Sequence, residues 1–452
     1  MSKYQAYPEY KDSGIEWIGD IPKHWELWKL THAYEEIGSG TTPPSTDAEW
    51  YGGTVPLVTT GELREKEIYS TTKNVTDDAL RSFTALRKYP KGSIAIAMYG
   101  ATIGRLGIFG VEATTNQACC VFTKSSVVDN HYLYYWLQAF RQDIVNLASG
   151  GGQPNINQEV VASLKVSCPD KVGQEIIVSF LDHETTKIDT LIDKQQQLIQ
   201  LLKEKRQAVI SHAVTKGLNP NAPMHDSGVE WLGEVPEHWS FPKVKWFFKT
   251  ESGGTPNTSR YEEYYQDGDI PWIRSTDLNN NELFETPIAI TSKAIRESAC
   301  TVIPTNSVLI AMYGGAGTIG KHALLKFESA INQAVCAILP TNKINPDFLH
   351  LYVEFYRPYW MVGAEGARKD PNINQETIRE LVVSSPPYDE QVEIVKVIQQ
   401  KIAVIDQTVS KCEKNIQLMQ ERRTALISAA VTGKIDVRDW QDPALMQNKE
   451  AV

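Results

Sequence analysis

Most marks of a familiar enzyme are missing from this chain. No acidic cluster has the spacing of a metal nuclease. Cysteine is scarce and scattered. Cys119, Cys120, Cys168, Cys300, Cys336 and Cys412 form no C-x-x-C pair and none sits at zinc spacing with histidine, so a structural metal is not expected. No apolar run approaches the length that crosses a bilayer, and the opening MSKYQAYPEYKDSG has no apolar h-region, so no secretory leader is expected. Excess positive charge is absent too. The net charge is −10, which counts against a simple non-specific nucleic-acid binder unless local patches or a partner protein carry the phosphate contacts. The expectation is a reduced, cytoplasmic protein with no cofactor.

What is present is a duplication. DSGIEWIGDIPKHW at Asp12 to Trp25 returns as DSGVEWLGEVPEHW at Asp226 to Trp239, an offset of 226 − 12 = 214. AMYG at Ala97 and Ala311, NQA at Asn116 and Asn332, and PNINQE at Pro154 and Pro371 keep the same order. KEKRQAVISHAVT at Lys203 is answered by QERRTALISAAVT at Gln420, an offset of 420 − 203 = 217. A chain of 452 residues has room for two such units, each with its own core. The fitting target is an object that also comes in two halves.

Each copy has two kinds of segment. In residues 1–170, strand-like runs (VPLVTT, SIAIAMYG, QACCVF, LKVSC) alternate with Gly/Pro/Thr loops, and one helical stretch, HYLYYWLQAFRQDIVNLA, starts at His131. From Gln174 to Thr215 there is neither proline nor glycine. Leu181, Ile188, Ile192, Ile199, Leu202 and Val209 fall on alternating three- and four-residue steps, with Thr185, Gln195 and Arg206 in the same series. This is a coiled-coil seam with polar interruptions. KGLNPNAPMHDSG breaks it, and a second mixed segment runs to SSPPYDE, where Asp389 is the expected N-cap. Ile398, Ile402, Ile405, Val409, Cys412, Ile416, Met419 and Leu426 then repeat the seam. The expected boundaries are 1–170, a helix over 171–216, a second mixed domain over 217–386, a helix over 387–435, and a tail over 436–452. Domain termini often lie close together, so the second helix should run back along the first. The expected fold is α+β: two mixed α/β domains joined by two long antiparallel coiled-coil helices, with an internal pseudo-twofold repeat.

Globular domain, long helix, globular domain, long helix resembles the specificity subunit of type I DNA restriction-modification systems. The matching residues are the GDIPKHW and GEVPEHW openings, ESGGTP at Glu251, DIPWIRSTDL at Asp269, SVLIAMYGGAGTIG at Ser307, INQA at Ile331 and PPYDEQ at Pro386. The resemblance covers nearly the whole chain in both copies. It implies that each globular domain is a target recognition domain reading half of a split site on double-stranded DNA. It implies that the helices space the domains and dock two methyltransferase subunits, that two restriction subunits join to cleave, and that this chain has no catalytic site.

Two motifs are decoys. GAGTIGK at Gly315 to Lys321 has the glycines and lysine of a phosphate loop, but His322 stands where Ser or Thr would hold magnesium, and its twin GATIGR ends in Arg105 and is two residues shorter. SPPY at Ser385 resembles the base-clamping motif of adenine methyltransferases, but its twin is SCPD at Ser167. Residues shared by both copies are expected to build a common frame: Trp17 and Trp231, Trp25 and Trp239, Pro56 and Pro271, Asn116 and Asn332, Asn157 and Asn374. Packing is likewise expected of the paired His24 and His238.

Differences inside matching loops are where two domains can read different bases. VPLVTTGEL sets Thr59, Thr60 and Glu62 against Arg274, Ser275 and Asp277 of IPWIRSTDL. Arginine pairs bidentately with guanine, and Asp or Glu accepts from cytosine N4; each is equally readable as a solvated loop residue. Tyr99 and Tyr313 either stack near DNA or pack. Arg105 and Lys321 are candidate phosphate contacts. Gln153, in SGGGQP, and Arg368 and Lys369, in GARKDP, are candidates from a second variable loop. Two other readings stay open at this point. One is a tandem protein-interaction scaffold with no DNA role, favoured by the net charge; the other is an enzyme using the GAGTIGK loop. Salt-dependent DNA binding separates the first from recognition, and nucleotide binding through Lys321 marks the second.

Overall fold

A computed structural model of the chain describes residues 4–147, 155–314, 317–362 and 372–443. The chain divides into two units, Met1–Gln195 with Lys414–Val452, and Gln196–Glu413. The first unit carries β1 (Tyr51–Val58), β2 (Ile94–Ala97), β3 (Leu106–Phe109), β4 (Thr114–Thr115), β5 (Cys119–Phe122) and helix α1 (Asn130–Ala139). The helix α2 (Lys171–Lys216) then leads on to β6 (Ile270–Ile273), β7 (Val308–Ala311), β8 (His322–Leu325), β9 (Ser329–Ile331), β10 (Val335–Ile338), α3 (Pro346–Val362) and α4 (Tyr388–Val431).

The two units repeat one topology. In the first, a five-stranded sheet has the order Ile37–Gly38, β5, β2, β3, Lys66–Ile68. In the second, the order is Thr250–Ser252, β10, β7, β8, Asn281–Leu283. β2 is buried at every position because both sheet faces are covered. Alternation along the strand sends Ile94 and Ile96 to the helix-covered core with Tyr132 and Trp136, and Ala95 and Ala97 to a smaller core with Val58 and Leu63. β7 does the same, with Val308 and Ile310 on one side and Leu309 and Ala311 on the other. Beside each five-stranded sheet lies a smaller one in which β1 pairs in parallel with β4, and β6 with β9.

α1 starts where Asp129 accepts from the amides of His131 and Tyr132, at 2.9 and 3.1 Å. The helical stretch expected from His131 is interrupted at Phe140, and a second short helix covers Arg141–Asn146. α2 and α4 run for 46 and 44 residues, about four times an ordinary helix. The expected N-cap Asp389 lies instead inside the first turn of α4. Pro387 supplies the carbonyl that takes the Gln391 amide, at 3.0 Å, so the helix begins two residues earlier than the cap signal implied. Gln174 and Gln391, both fully buried, staple the two helix starts alike. Each side-chain oxygen accepts a backbone amide, from Asp129 or Asn345 at 2.7 Å, and each amide group donates to two carbonyls.

Within each unit the two helices run antiparallel. In the first, Leu181 shares a core with Ile427 and Val431, while farther along α2 Asp189 pairs with Arg423 at 2.9 Å. In the second, Ile210 shares a core with Ile394 and Ile398, and Arg206 pairs with Asp406 at 3.3 Å and with Glu354 of α3. The Arg–Asp pair is itself duplicated, since 423 − 206 and 406 − 189 both equal 217. In each unit an arginine of one helix is thus satisfied by an aspartate of the other, and Arg206 is one of the polar seam positions.

The final turns of the helices close the units. Ile210, Ala213 and Val214 pack with Trp239, and Ile427, Ala430 and Val431 pack with Trp25. The last stretch of the chain therefore belongs to the same core as the first. Tyr10 donates to the Gly433 carbonyl at 2.9 Å, Tyr132 to that of Val431 at 3.2 Å, and the Asp436 amide to that of Gln5 at 2.7 Å. Among the described residues, no helix is long and apolar enough to cross a membrane.

Candidate nucleic-acid interface

One tight turn organises the candidate residues of each unit. Parallel strands leave a sheet at the same edge, so the residues after β1 and after β4 emerge side by side. The Asn116 amide donates to the Val58 carbonyl at 3.1 Å, and its side-chain oxygen takes the Ala118 amide at 3.2 Å. The Ala118 carbonyl in turn takes the Met98 amide at 2.8 Å. The turn therefore has Thr59, Thr60 and Glu62 on one flank and Tyr99 on the other. The second unit repeats it: Asn332 to Ile273 at 2.9 Å, Ala334 to the Asn332 side chain at 3.1 Å, and Met312 to Ala334 at 2.8 Å. Here Arg274, Ser275 and Asp277 flank one side and Tyr313 the other.

The shared asparagines thus serve the frame. Asn157 and Asn374 do so as well, capping short helices by accepting from Val160 at 2.8 Å and Thr377 at 2.9 Å. The segments before those helices return to the same edge, where the amides of Ile156 and Ile373 donate to the Met98 and Met312 carbonyls at 2.8 and 3.0 Å.

The differing residues are not equally presented. The guanidinium of Arg274 is held by Asp277, with Nε to Oδ2 at 3.1 Å and Nη2 to Oδ1 at 2.9 Å. Asp277 also takes the Arg274 amide at 2.8 Å, so this acid orients the arginine. The side-on edge of the fork is occupied; its Nη1/Nη2 end remains for a planar acceptor pair. Ser275 is buried, which withdraws it from direct contact. Glu62 accepts the Thr72 amide at 3.0 Å. Thr59, Thr60, Tyr99 and Tyr313 are half-buried, and burial raises the hydroxyl pKa of both tyrosines. Arg105 and Lys321 stand at matching hairpin turns next to the Tyr99 and Tyr313 strands, and neither forms an ion pair among the described residues. Gln153, Arg368 and Lys369 lie outside the described residues.

Four residues escaped the motif reading. Thr42 donates to the side-chain oxygen of Gln117 at 2.9 Å, and Thr255 donates to Gln333 in the same way. Thr42 also lines a cavity of about 380 Å³ with Thr59, Glu62, Arg64 and Lys73. The sequence signal for them lies in the Gly-x-Thr-Pro runs at Gly40 and Gly253 and in the repeated NQA.

The decoys dissolve on the same geometry. His322, in the magnesium position of the loop motif, starts β8 and points into the core, its Nδ1 2.8 Å from His350 Nε2. Ser385 of SPPY bridges to Ser240, and Pro387 ends just before α4. His238 bonds to Glu390 at 2.8 Å and His24 packs against Tyr7, so the paired histidines have different partners in the two copies. Among the described residues, no cluster of three His, Cys, Asp or Glu side chains is placed to hold a metal.

The sequence pattern of the type I restriction modification DNA specificity domain matches residues 22–201 and again 236–418. This chain belongs to that family. The MjaIX specificity subunit of Methanocaldococcus jannaschii is 22% identical over 97% of this chain and 99% of its own length. A solved chain described under complex assembly and conformational transition of the type I R-M system superposes with a TM-score of 0.73 at 13% identity, covering 92% of this chain and 99% of that one. The HsdS subunit from Thermoanaerobacter tengcongensis gives 0.53 at 14% identity, over 92% and 98%. For a specificity subunit, two copies of one domain frame are the expected architecture.

Proposed function

We propose that this chain is the DNA-reading specificity subunit of a type I restriction-modification complex, with residues 1–170 and 217–386 as two target recognition domains. Each reads one half of a bipartite site on double-stranded DNA. The observation that carries this reading is the twofold turn: one hydrogen-bond frame carries Thr59 and Thr60 beside it in one unit and Arg274, oriented by Asp277, in the other. A common frame with different readers suits two different half-sites. The chain supplies no catalytic group; adenine methylation belongs to the modification subunits and cleavage to two restriction subunits, in the cytoplasm.

The spacer helices α2 and α4 dock two methyltransferase subunits; α4 ends at Val431, short of the expected 435, where the chain turns through Gly433 in the left-handed region. The repeated segments at Lys203 and Gln420 divide in role. Their apolar ends, Ile210 to Val214 and Ile427 to Val431, are consumed by the chain's own cores. Their leading turns remain for a partner, and Lys205, Ala208 and His212 line an open groove of about 280 Å³ with Lys401. The test uses the purified methyltransferase. The complex should shift duplex DNA in a salt-dependent way, and native mass spectrometry at saturating partner should show two methyltransferases per chain. A stable complex with one contradicts the docking; binding to partner but to no DNA sinks the recognition role in favour of a protein scaffold.

A further inference from the structure

The Thr–Gln pairs found beside the two turns have a chemistry of their own. In each unit a Gly-x-Thr-Pro loop is pressed onto the end of a strand so closely that no side chain fits. A Cβ on Gly40 would lie 1.8 Å from the Thr115 carbonyl oxygen, and one on Gly253 would lie 1.6 Å from that of Ile331. This contact fixes the loop, and with it Thr42 and Thr255. Each threonine hydroxyl then donates to the Oε1 of Gln117 or Gln333. With the oxygen tied, the amide nitrogen of each glutamine points its two donors away from the threonine. Both glutamines are exposed, and neither nitrogen has a partner among the described residues.

This oriented donor is identical in two domains whose neighbouring residues differ. An identical donor cannot distinguish two different half-sites. What both half-sites share is the sugar–phosphate backbone, whose oxygens are acceptors only. We propose that Gln117 and Gln333 each donate a hydrogen bond to one backbone phosphate, and that these twin contacts set the depth and register at which the variable flanks meet the bases. The proposal rests on the DNA-reading function above and names a contact within it.

The test uses the intact complex with methyltransferase and a duplex carrying the methylation-mapped site. Gln117→Ala and Gln333→Ala should each weaken binding about tenfold, the lower range for a hydrogen bond to a charged group. The loss should be equal on the cognate duplex and on single-base variants. The slope of log affinity against log salt should stay the same, because a neutral amide releases no counterion. Phosphate-ethylation interference should disappear at one position, in a different half-site for each variant. Thr42→Val should reproduce the Gln117→Ala pattern more weakly, since it frees the amide to rotate. Exposed side chains of this kind change stability little, and an unchanged melting temperature confirms it. Relaxed preference at one base with the ethylation pattern intact would overturn the proposal, as would unchanged affinity. A wild-type complex that selects no DNA sequence brings down the recognition function itself, and this contact with it.

Discussion

Arg274 is the residue on which specificity can be tested most directly. Its side chain is half-exposed, its fork is oriented by Asp277, and its free end matches the O6 and N7 of guanine. Its counterpart Thr59 has neither the charge nor the reach. Replacing Arg274 by alanine should relax discrimination at one position of one half-site by ~1–3 kcal/mol. The other half-site should be read as before, because Thr59 stands in a separate unit. Methylation mapping over a library of site variants reads both halves at once. Equal loss in both, or in neither, removes Arg274 from the role. Asp277 was paired with cytosine on sequence grounds; its carboxylate is instead committed to Arg274, which makes it a positioning residue.

At the scale of elements, the copies differ inside the core where β8 meets α3. His322 and His350 lie buried against each other, and the Nε2 of His322 has no partner among the described residues. The equivalent pair in the first unit is Leu106 and Tyr134, also buried. Burial lowers the pKa of both histidines. For His322 the neighbouring His350 and then Arg357 and Arg206 add to it; for His350, Lys326 and Arg206 do, bringing it to about 4. An unfolded histidine takes up a proton near pH ~6.5, whereas the folded pair resists until far lower pH. Stability is therefore full above about 6.5 and falls as pH drops from there toward about 4, because the unfolded state binds more protons. For His350 alone the loss at pH ~5 is on the order of 2 kcal/mol. Melting curves at pH ~7.5 and ~5 should show this unit yielding to acid. His322→Leu with His350→Tyr, the pair natural to the other copy, should flatten that dependence. An equal acid response in the double variant would mean that other groups carry it.

For the whole molecule, α2 and α4 are the two segments that pass from one unit into the other. Helix length should then govern the gap between half-sites. Four added residues lengthen a helix by ~6 Å and nearly keep its face, since ~3.6 make a turn. Successive bases are ~3.4 Å apart along one strand. Duplicating Gln195 to Leu198 together with Cys412 to Asn415 should lengthen the unread spacer by roughly one to two base pairs, with both half-sites unchanged. The duplication sits where seam contacts continue on either side, between the Asp189–Arg423 and Arg206–Asp406 pairs. Methylation mapping decides it: an active variant that keeps the original spacing shows that the helices are not the ruler.

The internal repeat, the two mixed domains and the long seams were legible in the sequence because each rests on periodicity, and hydrophobic spacing is a local property. Leu181, Ile188 and Ile405 announce their helical face without reference to anything distant. The frame asparagines were legible for a related reason, since duplication exposes what both copies need. Tertiary structure alone decided the rest. It brought Thr42 to Gln117 and Thr255 to Gln333 across about 75 residues of chain, through close backbone approaches at Gly40 and Gly253 that leave no trace in composition. It committed Asp277 to Arg274, buried Ser275, and turned His322 from a loop position into a core partner of His350. It also sent Ile427 to Val431 into the core that begins at Tyr7. Such choices depend on which surfaces meet once the sheets have twisted and the helices have paired, and no window of neighbouring residues contains that information.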